Sequence, residues 1–142
     1  MLGSAVLYVV FPFCLALTSC TCNETRSPEA GRFAVKETRI GLASFYSHSF
    51  QGGRTANGET FNNKHLVAAH PSYPFGTVVR VTHIRKGRVV KVRILDRGPT
   101  RRNRSEGVII DLSREAAKKL GMVKQGRAKV KVEVLEWGKK QQ

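Results

Sequence analysis

The sequence predicts a mainly β fold, a small barrel with one or two short helices. Two observations carry this. Five segments between residues 39 and 137 alternate or run apolar at strand length, with Gly-containing or charged turns between them. Only one segment has both helical spacing and a recognisable start and stop. Several short strands with one interposed helix fit a small barrel.

The elements follow in order. Residues 39–46, "RIGLASFY", read as the first strand, and a short helical turn is expected around 62–66. In "TVVRVTHI" (77–84), Val79 and Val81 oppose Arg80 and Thr82. "RKGR" (85–88) supplies a turn, and in "VVKVRILD" (89–96) Val90, Val92 and Ile94 oppose Lys91 and Arg93. The pair is a hairpin with one apolar and one cationic face, whose outward Arg80, Lys91 and Arg93 can hold an anionic polymer through weak, salt-screened contacts. "VIIDL" (108–112) is a continuously apolar strand. Ser113 is an N-cap for "REAAKKL", Glu115 and Lys118–Lys119 suit the two ends of the helix dipole, and Gly121 is a natural stop. The last strand, 128–137, points Val130, Val132 and Val134 inward and Lys129, Lys131 and Glu133 outward.

The chain has 142 residues and a formal net charge of +15, so one domain with an anionic partner or environment is expected. Cys14, Cys20 and Cys22, the only cysteines, lie in the first 22 residues. That excludes a disulfide framework through the domain. No His-Glu-x-x-His signature occurs, and no metal or cofactor is assigned. Residues 1–19 carry no charge and read as an export signal, too short and too interrupted by Pro12 for a membrane span. Leu17-Thr18-Ser19-Cys20 resembles the bacterial lipobox, which makes Cys20 the expected lipid-bearing residue. The expected organisation is a lipoprotein-type signal at 1–19, a polar tether at 20–37, the domain at 38–137 and a tail at 138–142. The export segment argues against a nucleic-acid partner, as does the lack of aromatics interleaved with the basic run. A monomer is expected.

"VRILDRGPTRRNR" (92–104) ends an alternating strand in Asp96, immediately before Arg97-Gly98-Pro99. Gly and Pro stop the strand there. Asp96 is either a turn or Arg97-paired carboxylate, or a catalytic acid at a pocket rim. Glu59, after Asn57-Gly58, is a solvated turn residue or a site carboxylate. His70, before Pro71, is a structural histidine or a site group. Asp111, just before a helix start, reads as structural, bonding backbone N–H groups there.

Four segments together, "GLASFYS" (41–47), "GGRTANGETF" (52–61), "LVAAHPSYPFGTVVRV" (66–81) and "ILDRGPTRRNRSEGVIIDLSREAAKKLGM" (94–122), resemble the RlpA-like family of rare lipoprotein A proteins. The resemblance implies a six-stranded double-psi β-barrel related to that of expansins. It implies a lytic transglycosylase that cuts the bond between N-acetylmuramic acid and N-acetylglucosamine in peptidoglycan and leaves 1,6-anhydro ends. Asp96, Glu59 and His70 match the family's implicated trio, and Phe45, Tyr46, Thr55, Asn57 and Arg97 fall where substrate contacts are expected. Phe45 and Ser47 stand where the family commonly has Trp and Gly. The location implied is the bacterial cell envelope, with a lipid on Cys20 in the membrane. The alternative is a non-catalytic, expansin-like wall-binding module. Chemically, one carboxyl can protonate the leaving oxygen and then, as carboxylate, draw the proton from the sugar's own 6-hydroxyl. The two-carboxylate hydrolase scheme is then not required.

Overall fold

A computed structural model describes residues 34–139; the expected export signal, Cys20 and most of the tether lie outside the described residues. Six strands close into a barrel: β1 (Glu37–Phe45), β2 (Val67–Ala69), β3 (Val78–His83), β4 (Val89–Asp96), β5 (Val108–Leu112) and β6 (Ala128–Glu136), in the order β1-β5-β2-β4-β3-β6. Two neighbouring pairs, β1–β5 and β2–β4, are parallel and the others antiparallel. This is the double-psi β-barrel that the sequence motifs imply. Closure leaves none of these six strands at a sheet edge.

Period-2 alternation sets which side chains fill the barrel. Val79, Val81, Val90, Val92, Ile94, Val130, Val132 and Val134 are all buried in one cluster. Each such side chain contributes about 1.5–3 kcal/mol by leaving water. The outward face is less uniform than the pattern predicts. Glu133 is buried beneath Arg80 and Lys131, at 2.9 and 3.2 Å. Burial alone would raise its pKa, but hydrogen bonds from both cations outweigh that and hold it below its ordinary value. Arg93 meets Glu59 at 3.3 Å. Arg80 and Arg93, both expected to face an outside anion, are therefore paired within the protein.

Two helices flank the sheet, α1 (Arg101–Ser105) and α2 (Arg114–Leu120). α2 follows its sequence signals: Ser113 Oγ accepts from Ala116 N–H, Ala116, Ala117 and Leu120 are buried, and Gly121 ends the helix at φ 69°. That left-handed backbone is what favours glycine there; the Arg88 guanidinium, 2.8 Å from where a Cβ would lie, is the mobile end of a side chain. α1 stands where the sequence reads as a cationic loop. It buries no side chain, so it has no apolar stripe to detect. The helical turn expected around 62–66 is instead a tight turn in which Asn62 Oδ1 accepts from Lys64 N–H at 2.9 Å. β2 was not predicted. It is three buried residues between two other strands, too short and too uniformly apolar to alternate.

Candidate active site

β4 delivers Asp96 to the end of a central strand, where its side chain is 8% exposed. Its carboxylate accepts three hydrogen bonds. Tyr46 O–H donates to Oδ2 at 2.8 Å, and the backbone N–H groups of Ala56 and Arg97 donate to Oδ1, each at 2.8 Å. Tyr46 follows β1 and stands on Phe50 and Phe61, with ring centroids 4.8 and 4.4 Å away. Burial first, and then the bond to Asp96, raise its pKa well above the usual phenol value. It is therefore a permanent donor at neutral pH.

Arg97 does not pair with Asp96 through its side chain. Its guanidinium turns away, donates to the Tyr73 carbonyl at 2.7 Å and lies 3.9 Å from the Phe75 ring centroid. The cation beside Asp96 in sequence thus braces the loop after β2, and only its backbone N–H serves the carboxylate.

The turn at residues 55–59 docks on the same strand end through Asn57 N–H to the Leu95 carbonyl, 3.2 Å, and through Ala56 to Asp96. Thr55 is buried, with its hydroxyl 2.5 Å from Asn57 Oδ1 and 2.8 Å from the Glu59 carbonyl. Gly58, at φ 89°, takes a conformation a side chain would oppose. Glu59 is exposed, held by Asn57 Nδ2 at 2.9 Å and by Arg93. The turn as a whole reaches Asp96, while the Glu59 carboxylate faces Arg93. Phe45, one residue before Tyr46, packs against the main core instead.

His70 follows β2, and its backbone N–H bonds the Asp96 carbonyl at 3.2 Å. Its ring stacks on Tyr73 at 3.5 Å between centroids, in a cluster that includes Glu37 and Arg39. Nδ1 accepts from Tyr73 N–H at 3.1 Å and more weakly from Ser72 N–H at 3.3 Å. An accepting Nδ1 carries no proton, so the neutral ring carries its proton on Nε2. Burial, with Arg39 and Arg97 adding and Glu37 opposing, lowers its pKa to about 4. A cavity of about 520 Å³ opens beside this cluster, lined in part by Arg39, Tyr73 and Trp137. Asp96 and the 55–59 turn thus form one hydrogen-bonded assembly, and the His70 ring belongs to its neighbour.

A feature the sequence reading missed is a row of paired positions across four strands. Ser44 pairs with Asp111, Asp111 with Ala69, and Ala69 with Asp96. Asp111 does not cap α2. Asn63 Oδ1 takes the Arg114 N–H at 3.1 Å, and Asp111 instead receives the Ser44 hydroxyl. Among the described residues, no cluster of His, Cys, Asp and Glu is arranged to hold a metal.

Residues 38–132 match the family model described as "Lytic transglycolase". The chain belongs to that family. Within it, the chain is 46% identical over 105 residues to the Campylobacter jejuni protein named endolytic peptidoglycan transglycosylase RlpA, covering 74% of this chain and 37% of that protein. It is 38% identical over 117 residues to the Haemophilus influenzae protein of the same name, covering 82% and 39%. The chain spans less than half the length of these relatives. Among solved structures, the barrel resembles Streptomyces papain inhibitor (TM-score 0.57, 19% identity, 74% of this chain and 100% of that one). It also resembles an expansin from Clavibacter michiganensis (TM-score 0.56, 23% identity, 70% and 51%). At those identities the likeness establishes the fold alone.

The His70 geometry fixes an expectation. Its ring should titrate near pH 4 in the folded protein, against about 6.5 when unfolded. Above pH 6.5 both states are neutral. As pH falls from about 6.5 to about 4, the unfolded state alone takes up the proton, so stability drains across that window, by on the order of 3 kcal/mol. Nitrogen-resolved NMR of the imidazole reads this directly, and titration near 6.5 in the folded state would contradict the burial and tautomer assigned.

Proposed function

We propose that this protein is an endolytic peptidoglycan lytic transglycosylase, a lyase that cleaves the bond between N-acetylmuramic acid and N-acetylglucosamine and closes the muramic acid into a 1,6-anhydro ring. The observation that carries this reading is Asp96: a nearly buried carboxylate at a strand end, oriented by three donors that come from separate parts of the chain. Family membership and the names of the relatives support the same chemistry.

Asp96 is the main proton-transfer group. Its orientation is set before substrate arrives, which removes part of the entropic cost of reaching a reactive geometry. Tyr46, Thr55, Asn57 and Arg97 serve the sugar site differently from one another. Tyr46 touches the reacting carboxylate, and Thr55 and Asn57 shape the turn against it. Arg97 braces the loop that carries His70 and Tyr73. Phe45 acts from behind, by packing. Glu59 and His70 take supporting roles, Glu59 at the outer edge of the turn and His70 as a neutral ring with an Nε2 proton to donate. The surplus of cations on the domain suits a polymer bearing peptide and lactyl carboxylates.

The protein works in the bacterial cell envelope, held to a membrane by lipid on Cys20. Cys20→Ala should shift it from the membrane fraction to the soluble fraction after cell fractionation. A Cys20→Ala protein that stays membrane-bound would overturn the anchor.

Asp96→Asn keeps the size and most of the hydrogen bonding of the carboxylate but cannot exchange its proton. The variant should melt like the parent and lose about 10²–10⁴-fold in anhydro-muropeptide release from purified sacculi, measured by mass spectrometry. Wild-type yield from a well-folded variant would refute the assignment. A parent protein that binds sacculi and releases nothing is the non-catalytic binding module instead.

A further inference from the structure

Asp111 stands two strands from Asp96 in the row Ser44–Asp111–Ala69–Asp96. Residues paired in this way on adjacent strands share a face. The residue between the two acids is alanine, the smallest side chain that a β-carbon allows, so no large β2 side chain stands between them. The peptide after Asp96 keeps the opening narrow: a Cβ at Gly98 would lie 3.1 Å from Asp111 Oδ2 and 3.2 Å from the Ala69 Cβ. The chain segment that follows Asp96 therefore passes directly against Asp111. Tyr46, the donor to Asp96, also lies within electrostatic reach of Asp111. Asp111 is partly, not fully, buried.

We propose that Asp111 is a second reacting carboxyl of this site, the group that gives its proton to the departing glycosidic oxygen, while Asp96 takes the proton of the 6-hydroxyl. This rests on the lytic reading above and divides its two proton transfers between two residues. The bond between the anomeric carbon and the bridging oxygen breaks, its electron pair goes to that oxygen, and the Asp111 proton neutralises it. The 6-oxygen forms its bond to the anomeric carbon, and its proton passes to Asp96. No water enters. One proton then returns from Asp96 to Asp111 through solvent, and both groups are reset.

The two carboxyls have different surroundings. Asp96 accepts three hydrogen bonds, each donated to it. Asp111 has one such donor, Ser44, and its burial raises its pKa. The groups facing it are Ser44 and Tyr46 from the β1 side, Asp96 from β4 and Arg127 from the segment before β6. Ser44 and Arg127 pull the pKa down and Asp96 pushes it up, but burial prevails.

The test uses the full chain and two substrates: sacculi, and an aryl N-acetylmuramide whose nitrophenolate leaving group needs no proton. Asp111→Asn should lose about 10²-fold or more on sacculi but retain most turnover on the aryl substrate, whereas Asp96→Asn should lose both. In the parent, the rate on sacculi should fall as pH rises through the Asp111 pKa, and that limb should be absent with the aryl substrate. Ser44→Ala removes a donor that favours the anion, so its limb should move to higher pH. This keeps the proposal testable if Asp111→Asn does not fold. Wild-type activity of folded Asp111→Asn on sacculi, equal losses on both substrates, or an unmoved limb in Ser44→Ala would each overturn the role of Asp111. A parent protein that forms no anhydro product fails at the earlier step, the lytic reading itself.

Discussion

The three hydrogen bonds donated to Asp96 join the end of β1, the 55–59 turn and the end of β4 at one carboxylate. Tyr46 arrives from the end of β1, Ala56 from the turn between β1 and β2, and Arg97 from the chain leaving β4. A carboxylate this little exposed would be costly without partners. The partners therefore fix the direction of the group. They also help to hold the turn, since its departure would remove one of the three donors. The aromatic stack of Tyr46, Phe50 and Phe61 stiffens the hydroxyl that completes the set.

The barrel makes this meeting possible. Its two parallel pairs bring the ends of β2 and β4 together and place the end of β1 beside β5. A register shift between Ala68 and Ala69 moves the pairing of β2 on to Asp96, past Leu95, which packs with Phe61 and Val67 under the 55–59 turn. The interior is filled by valines that demand only alternation. The exterior holds ion pairs such as Arg80–Glu133, and Asp96 sits where β4 ends. The cationic surplus that first points to an anionic partner is thus partly used within the protein.

Strands with a clean period, such as β3, β4 and β6, were legible because each residue's face follows from its neighbour two positions away. The helix from Arg114 was legible because Ser113 and Gly121 act locally. β2 and α1 were not, one having no polar face and the other no apolar face. Asp96 stood out through its position before Gly98-Pro99, but its setting did not. The adjacent Arg97 looked like its partner in sequence and proved to bond the Tyr73 carbonyl. Asp111 looked like a helix-start carboxylate because Ser113 and α2 follow it, yet its partner, Ser44, lies 67 residues away. Pairings across a closed barrel depend on strand order, which no local spacing encodes.

At the centre of the account is a reaction in which the sugar's own hydroxyl, and not water, attacks the anomeric carbon. Digesting purified glycan strands in water enriched in oxygen-18 tests it most directly. The account predicts muramic acid ends that are anhydro and free of label. Labelled reducing ends would show that water is the nucleophile and would contradict it.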